Sequence, residues 1–575
     1  MAATLRACQF LGASDVCNRT LQARNLTVCK KVALPASVRM QEKKHRSPVY
    51  WRSASTKASR LPDYCSDDYQ FLERSVLPTM HFQKSLPRLP IPKLEKTCER
   101  YLRALEPLVT EEELKKTNDI VSAFKNKEGS ELDQLLRKRD KANKHTSYIS
   151  GPWFDMYLTS RKPLPLNFNP FMSWKDDVRP AYMDQVVRAS NMVISSLRFF
   201  RSLQSNQLEP MVYHLDPKKS DTATYRRTIK MLPEALACTR IPLIGRDKLQ
   251  VWNDSKHIVV IRNGHFHSMQ VLDDKGSLFA PEHYQACLSR IMADKRPPPA
   301  VPVSALTAGP RDDWARARKE LLAANNESTL QCIDSALFVL VLDSDVFQGT
   351  EQEKIAHHFL HGPVYNRWFD KSFSLLLTAE GHAALNFEHS WGDGVAVLRY
   401  FNEVYTDSTE RPCVHPGQSA NINPEPYIQR LDFLLTDSVK SAVQKAQQNY
   451  QEQTGSLQLA ATIHSGLSRD LIKKSKLSPD SVMQLSFQLA YFLAHGGTAA
   501  TYESCSTSAF KHGRTETVRP ATMATKQCVE MLSSGKNLSV ARLLLEKCSR
   551  VHSLLTKEAA MGKACLVILQ LFEGD

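Results

Sequence analysis

A short run that is apolar at every position constrains the fold most. Residues 336–342 contain no polar side chain, so as a strand they have no face to turn towards water. Strands of this kind lie at the centre of sheets that helices cover on both sides. Strand-like runs at 258–261 and 266–272 precede it, and helical patterns alternate with them. The sequence therefore predicts layered α/β domains, and its 575 residues exceed what one core usually holds, so two or more domains are expected.

Several helices are predicted from periodicity and capping. Residues 183–203 carry an apolar stripe and are expected to form a helix whose Arg and Ser side chains face water. Residues 86–94, which three prolines hold extended, are expected to lie across another element as a strap and to lead into a helix at 94–108. Ser478 followed by Pro479 predicts another helix start, because serine caps helices and proline fits their first turn.

The net charge of +15 is concentrated near the N-terminus. Residues 1–60 contain twelve Lys and Arg and only two acids, so the rest of the chain carries +5. Such a weakly charged body excludes nucleic acid as the expected partner. Residues 1–65 are also rich in Ser, Thr and Ala and lack a long apolar core, which is typical of a mitochondrial transit segment. A disordered basic tail is the alternative.

Cysteine and hydropathy patterns limit the remaining classes. The thirteen cysteines include no Cys-x-x-Cys pair and no histidine spacing suited to zinc, so we expect reduced thiols and no metal site. No run reaches the roughly 18 apolar residues that a membrane-spanning helix needs. The sequence therefore predicts a soluble or peripheral protein.

The clearest candidate site is a histidine at a turn. Residues 375–387 predict a strand that ends just before His389, and two glycines then let the backbone turn into a helix at 395–405. An imidazole at such a turn can act as a general base, and Asp393 can orient the ring or stabilise its protonated form. A hydrogen-bonded core histidine is the alternative, because a lone His-x-x-x-Asp is a weak pattern.

Two later segments are candidates for ligand binding. The three lysines within 473–476 precede a helix start and predict a phosphate site, although lysines on a loop are usually just solvated. Residues 501–507 predict a strand crowded with hydroxyl groups, followed by Lys-His-Gly-Arg-Thr-Glu-Thr at 511–517. Hydroxyls can position a polar ligand, but sheet edges also favour Thr and Tyr.

Taken together, these segments resemble the carnitine acyltransferase family. The matching segments are, in order, the strap at 86–94, the aromatic run at 149–158, Glu-His-Ser-Trp-Gly-Asp-Gly at 388–394, Lys-Leu-Ser-Pro-Asp at 476–480, and residues 501–517. The resemblance covers most of residues 70–562. It is greatest to the long-chain, mitochondrial branch of the family that faces the matrix.

The resemblance implies a fold and an activity. The expected fold is α/β, with two chloramphenicol-acetyltransferase-like domains whose mixed sheets are covered by helices and whose active site lies in a tunnel between them. The expected reaction is the reversible transfer of a long acyl chain between coenzyme A and carnitine, with no bound cofactor. His389 is then the general base and Asp393 supports it. The expected location is the matrix side of the mitochondrial inner membrane, held peripherally, with the basic region 225–232 touching the membrane. From its residues alone, this short amphipathic region is instead expected to be a helix with a solvated face.

The resemblance also implies binding residues. The carnitine carboxylate end is expected to contact Tyr502, Ser504 and Thr515. Coenzyme A is expected along one continuous segment, with Lys473 and Lys476 near its phosphates. The residues of that segment are Ser468, Arg469, Asp470, Leu471, Ile472, Lys473, Lys474, Ser475, Lys476, Leu477, Ser478, Pro479 and Asp480.

The same resemblance implies domain boundaries. Residues 1–65 form the leader, 131–454 the domain with the histidine, and 70–130 together with 455–575 the second domain. This chain departs from the family near residue 238, where we expect an internal tract to be absent. It departs again after Gly562, where we expect the second domain to be incomplete.

Three hypotheses stay open on the sequence alone. The first is a palmitoyl-type acyltransferase, because the base and both binding segments are present. The second is a catalytically impaired protein of the same fold that retains coenzyme A or membrane binding. The third is an unrelated hydrolase that uses Ser504 or Cys505 with His389, although neither residue lies in a nucleophile signature.

Overall fold

The computed structural model describes residue 64 and residues 66–213, 225–227, 237–347, 352–534 and 538–563. The predicted leader over 1–65 lies outside these residues except for Tyr64. So do residues 228–232 of the predicted membrane-contact region, and residues 564–575 of the divergent tail.

The strands of the described residues are short. They are β1 Phe171–Ser173, β2 Met211–Tyr213, β3 Tyr225–Arg227, β4 Cys238–Ile241, β5 Lys248–Val251, β6 His257–Arg262, β7 His265–Gln270, β8 Val339–Leu342, β9 Phe373–Leu377, β10 Ala383–Phe387, β11 Ile428–Leu431, β12 Glu503–Ser506 and β13 Thr515–Val518.

Helices separate most of these strands. They are α1 Asp67–Gln70, α2 Leu94–Leu105, α3 Glu111–Asn126, α4 Glu128–Ala142, α5 Ser150–Leu158, α6 Gln185–Gln204, α7 Pro281–Met292, α8 Arg311–Ala323, α9 Glu327–Ser335, α10 Gln352–Leu360, α11 Gly394–Glu410, α12 Asp437–Gly455, α13 Arg469–Lys474, α14 Pro479–His495, α15 Met523–Ser534 and α16 Leu538–Ala560. Five short 3₁₀ turns are also present, at Gln83–Ser85, Pro180–Met183, Val303–Ala308, Val364–Asn366 and Glu425–Tyr427.

A mixed seven-stranded sheet forms the centre of the fold. Its strand order is β1-β10-β9-β8-β6-β7-β11, so β8 occupies the middle position. β8 runs parallel to both of its neighbours, β6 and β9, whereas the other pairs in this sheet are antiparallel. The prediction that the apolar run at 336–342 is central in a sheet is therefore confirmed.

Helices cover both faces of this sheet. Leu340 and Leu342 of β8 point into a core that includes α6, α7 and α11, while Val339 and Val341 point into a second core with α8, α9 and α12. The alternation follows from the two-residue period of a strand. The expected α/β class, with a mixed sheet covered by helices, is confirmed.

The helix predicted over 183–203 is present as α6, but its predicted polar face is wrong. Arg188, Arg198 and several serines of α6 are buried, not exposed to water. Arg198 Nη1 donates to both carboxylate oxygens of Asp407 on α11, at 2.8 and 2.9 Å. Because α6 lies between the sheet and other elements, its polar side chains pair with protein groups instead of solvent.

Residues 86–94 and part of α5 pack against the C-terminal part of the chain. The backbone N–H of Lys511 donates to the carbonyl of Pro87 at 2.7 Å, which confirms that residues 86–94 cross another element. Leu89 lies in a small apolar cluster with Ile149, Trp153, Ala509 and Phe510. Helices α14, α15 and α16 share a further small cluster, and β12 pairs with β13 in a separate antiparallel hairpin.

The basic region that begins at Tyr225 is not helical where it is described. Tyr225–Arg227 forms β3 and pairs with β2. In the part of the chain that the structure covers, no helix combines the length and the apolar character needed to cross a bilayer.

Candidate active site

His389 lies in the loop between β10 and α11, as the strand-turn-helix pattern predicts. The loop is fixed by its own neighbours. The Glu388 carboxylate, which is buried, accepts the backbone N–H of Ser390 at 3.1 and 3.2 Å and also the Ser390 hydroxyl. Trp391 Nε1 donates to the carbonyl of Ser372 at 2.8 Å. The strand end and the turn therefore hold the histidine backbone in place.

The His389 ring packs against an aromatic side chain of α5. Tyr157 Oη is 3.1 Å from Nδ1 of His389, and the two rings are stacked with centroids 5.4 Å apart. Burial lowers the pKa of His389, and the charge of Arg514 lowers it further, whereas Asp393 and Glu388 oppose that shift. The imidazole is therefore neutral at pH 7 and can accept a proton. Burial raises the pKa of Tyr157, so its hydroxyl stays protonated.

Asp393 pairs with an arginine from the C-terminal part of the chain. Arg514 Nε is 3.0 Å from Asp393 Oδ2, and the arginine is almost fully buried. Its two terminal nitrogens donate to the carbonyls of Ser390 at 3.2 Å and His389 at 3.3 Å. The other oxygen of Asp393, Oδ1, is buried and has no hydrogen-bond partner in the described part of the chain. Asp393 thus acts on the histidine through its charge and through Arg514.

The three predicted carnitine residues lie at or beside the β12–β13 hairpin. In this hairpin Ser504 is opposite Thr517, and Ser506 is opposite Thr515. These four hydroxyl residues share one face of the hairpin, because alternate residues of paired strands point the same way. Thr515 directly follows Arg514, whose side chain contacts the histidine loop.

Tyr502 lies immediately before β12. Burial raises the pKa of its hydroxyl, and the negative charge of Asp393 raises it further. Tyr502 therefore stays protonated and can donate a hydrogen bond to an anionic ligand.

The predicted coenzyme A segment forms a surface loop with two helix starts. Ser468 caps α13 by accepting the N–H of Leu471, and Ser478 caps α14 with Pro479 at its first turn, which confirms the predicted start. The side chains of Lys473, Lys474 and Lys476 are exposed. Lys473 and Lys474 lie in the last turn of α13, and Lys476 lies just before the start of α14. These three exposed cations form a positive surface that suits phosphate groups.

A cluster of titratable groups joins this segment to the hairpin. His552 Nε2 on α16 is 2.9 Å from Asp480 Oδ2 and 3.5 Å from Glu503 Oε2. Burial, and then the nearby Asp480, raise the pKa of Glu503 to about 8. The protonated form of Glu503 is therefore favoured at neutral pH. Asp480 of the coenzyme A segment and Glu503 of the hairpin thus both contact His552 of α16.

Groups of acidic side chains and histidine occur at two places in the described residues. One is the Asp480–Glu503–His552 cluster, and the other is Asp343, Asp345 and His358. In the second, Arg367 donates to both oxygens of Asp343, at 3.0 and 3.1 Å. Asp343 and His358 are therefore part of a buried ion-pair network with Arg367, whereas Asp345 is exposed. The sequence predicts no metal site. Of the residues in these two groups, only Asp480 is a predicted binding residue.

A cavity of about 650 Å³ adjoins the histidine loop. Its lining is mostly apolar and includes Phe154, Leu158, Leu249 and Trp391. Among the described residues, His389, Lys476 and Tyr502 are not part of that lining. The expected active-site tunnel between the two domains therefore stays a prediction.

Sequence reasoning missed two residues that touch the histidine loop. In the sequence, Tyr157 is only part of an aromatic run, and Arg514 is only part of the motif at 511–517. Both reach His389 from far along the chain, so no local spacing could have linked them to it. The weak signal available was the density of aromatic residues around Tyr157.

Comparison with known proteins agrees with this geometry. The family model described as choline/carnitine O-acyltransferase matches residues 89–571. This match includes the histidine loop, the coenzyme A segment and the hairpin.

Three similar relatives illustrate the range of the match. Mitochondrial carnitine O-palmitoyltransferase 2 of Xenopus tropicalis is 46% identical, over 90% of this chain and 82% of the relative. The human protein of the same name is 45% identical, over 86% of this chain and 79% of the relative. The muscle isoform of human carnitine O-palmitoyltransferase 1 is 29% identical, over 86% of this chain and 65% of the relative. Because the family model matches most of the chain and the first of these relatives is 46% identical to it, the chain belongs to the choline/carnitine O-acyltransferase family.

Proposed function

We propose that this chain transfers a long-chain acyl group reversibly between coenzyme A and carnitine, with His389 as the general base. The observation that carries the proposal is the position of His389 in the loop between β10 and α11, with Nδ1 of its ring 3.1 Å from the Tyr157 hydroxyl. Burial lowers the pKa of His389, which favours the neutral imidazole that a general base requires. Family membership and the names of the similar palmitoyltransferases support the substrates. No bound cofactor is needed for this reaction.

The chemistry requires only one proton acceptor. An alcohol with a pKa far above 7 is a poor nucleophile until a base takes its proton during attack. In the tautomer with hydrogen on Nδ1, the Tyr157 hydroxyl accepts that hydrogen and Nε2 keeps a free lone pair. Nε2 then takes the proton of the carnitine hydroxyl while the hydroxyl oxygen attacks the carbonyl carbon of the thioester. The carbon–sulfur bond breaks, and the imidazolium returns the proton to the sulfur of coenzyme A.

Two binding assignments follow for the substrates. We assign coenzyme A to residues 468–480, supported by three exposed lysines that lie in the last turn of α13 and just before the capped start of α14. We assign the carnitine carboxylate end to Tyr502, Ser504 and Thr515, supported by the hydroxyl face of the hairpin. Asp393 takes the supporting role, through Arg514.

We propose the same two domains that the sequence predicts, and the packing of the described residues supports them. Residues 131–454 form one domain, supported by the large sheet, whose strands all come from this range. Residues 70–130 and 455–575 form the second, supported by the contact between Pro87 and Lys511 and by the ion pair of Arg100 with Glu558 at 3.5 Å.

We place the protein on the matrix side of the mitochondrial inner membrane, attached peripherally. The basic composition of residues 1–65 and the mitochondrial relatives support this location. Release of the protein from isolated mitochondria by alkaline carbonate, but not by osmotic rupture alone, would support it.

An assay of thiol release tests the function. Purified protein is incubated with palmitoyl-coenzyme A, with and without carnitine, and free thiol is followed over time. We expect release that depends on carnitine and that falls by about 10²–10⁴-fold in His389→Ala, because general base catalysis contributes about that factor. His81→Ala, which changes an exposed histidine outside the site, is the matched control and should retain wild-type turnover.

Other outcomes distinguish the alternatives. Thiol release without carnitine would indicate a hydrolase and overturn the proposal. A folded wild-type protein that binds coenzyme A in calorimetry but releases no thiol would indicate the impaired protein.

A further inference from the structure

One arginine lies beneath the histidine loop and touches both elements that position the ring. Arg240 on β4 is completely buried. Its Nη1 donates to the Glu388 carboxylate at 2.9 Å, and its Nη2 donates to the backbone carbonyl of Tyr157 at 2.6 Å. Its Nε donates to Asp247 at 2.7 Å. All three nitrogens of the guanidinium group are therefore used.

The first two partners lead directly to His389. Glu388 precedes the base in the chain and accepts the backbone N–H and the hydroxyl of Ser390, which follows it. Tyr157 bonds to Nδ1 of the ring through its own hydroxyl. A single side chain thus fixes the loop that carries the base relative to the end of the helix that carries its hydroxyl partner.

The buried charges around Arg240 are paired beyond this contact. Asp247 is shared with Arg311, whose Nε lies at 2.8 Å, and Arg311 Nη1 donates to Asp370 at 2.6 Å. Buried ions are costly unless each is paired and hydrogen-bonded, so such a network is held in one geometry. A rigid network is what a precisely placed base needs beneath it.

A second buried arginine provides a contrast. Arg198 is also buried and pairs with Asp407 at 2.8 and 2.9 Å. Its further bonds go to the carbonyls of Asp68 and Phe71. These contacts fasten α6 to α11 and to the N-terminal segment, and none of them involves the histidine loop or Tyr157.

We propose that Arg240 is a positioning residue for acyl transfer, which holds His389 and Tyr157 in register through Glu388 and the Tyr157 carbonyl. The inference rests on the proposed function of His389. A lysine at this position keeps the charge but is a single point donor, so it cannot hold three acceptors in the fixed fork of a guanidinium.

The test compares Arg240→Lys with Arg198→Lys as a matched buried control. In Arg240→Lys we expect kcat to fall by about 10²-fold, because displacing a reacting group by about 1 Å costs that much. The KM values for palmitoyl-coenzyme A and carnitine should stay close to wild type, since neither substrate is assigned to Arg240. Arg198→Lys should retain the wild-type kcat even where it lowers the melting temperature.

A third variant separates positioning from folding. Glu388→Gln keeps the volume and one acceptor oxygen of the side chain but removes its charge. We expect it to lower kcat, and we expect the double variant with Arg240→Lys to be no worse than the poorer single variant. Residues that act as one unit show such non-additive losses. If Arg240→Lys does not fold, Glu388→Gln alone carries the test.

Three results would overturn the inference. They are a folded Arg240→Lys or Glu388→Gln enzyme with wild-type kcat, an equal loss of kcat in Arg198→Lys, and losses that simply add in the double variant. If the wild-type protein transfers no acyl group, the proposed function has failed on its own. The effect of Arg240 on the position of His389 is then tested by the rate at which diethyl pyrocarbonate modifies His389, measured by mass spectrometry. A faster rate in Arg240→Lys, but not in Arg198→Lys, would support it, and equal rates would overturn it.

Discussion

The region that carries the base and the region assigned to the ligands differ in how they are built. His389 follows a strand of a seven-stranded sheet whose two faces are both covered, and β8 in its middle is fully buried. The coenzyme A segment and the hairpin instead lie with α14, α15 and α16, which share only a small apolar cluster. On α14, Phe487 and Leu493 are 59% and 66% exposed. The first region is packed tightly enough to hold a side chain in one position, whereas the second leaves apolar side chains accessible to solvent.

The largest expected effect compares equivalent truncations in the two regions. Leu340→Ala in β8 should destabilise the sheet by about 2–5 kcal/mol, because a close-packed core cannot refill the cavity. Leu485→Ala in α14 should cost less, since the cluster around Leu485 lies at an exposed helix face and can relax. Hydrogen exchange, read by mass spectrometry on peptides from each region, measures both. Equal costs would mean that the two regions are packed equally well.

The second prediction concerns the junction between the regions. Arg514 lowers the pKa of His389 and Asp393 raises it. A neutral imidazole is the active form, so activity is lost as the pH falls through this pKa. Arg514→Gln should therefore move the acid limb of kcat/KM to higher pH, and Asp393→Asn should move it to lower pH. Shifts of both variants in the same direction would show that the junction acts only through structure.

Arg514→Gln should also reduce turnover. It removes the donors that hold the carbonyls of His389 and Ser390, and a small displacement of a reacting group costs about 10²-fold in rate. Arg542→Gln, which changes an exposed arginine of α16 outside the site, is the control and should leave kcat unchanged.

The smallest expected effect lies in the ligand region alone. Glu503 has a raised pKa of about 8, so the folded state holds a proton that the unfolded chain releases at a lower pH. The stability linked to this proton is present below the unfolded pKa and is lost as the pH rises through about 8. Glu503→Gln should remove this dependence. Exchange protection in β12 and α16, corrected for intrinsic rates, should fall between pH 7 and 9 in wild type but not in the variant, while β8 should not change.

The sequence predicts local features well and long-range pairings poorly. The apolar run at β8, the turn at His389 and the cap at Ser478 were each predictable, because each depends on neighbouring residues. Tyr157 and Arg514 lie 232 and 125 positions from His389, so only the fold brings them together. The polar residues of α6 were expected at the surface because no local pattern shows that partners such as Asp407 of α11, which pairs with Arg198, bury them. The membrane-contact prediction lies largely outside the described residues.

The contact of Arg514 with the histidine loop has a consequence for biogenesis. A nascent chain that has emerged from the ribosome as far as α12 already contains every strand of the large sheet, yet it lacks the arginine that holds Asp393. Contacts of such high sequence separation form late, because the loop must close before they contribute. Recovery of turnover after dilution from denaturant should therefore lag behind recovery of far-ultraviolet circular dichroism.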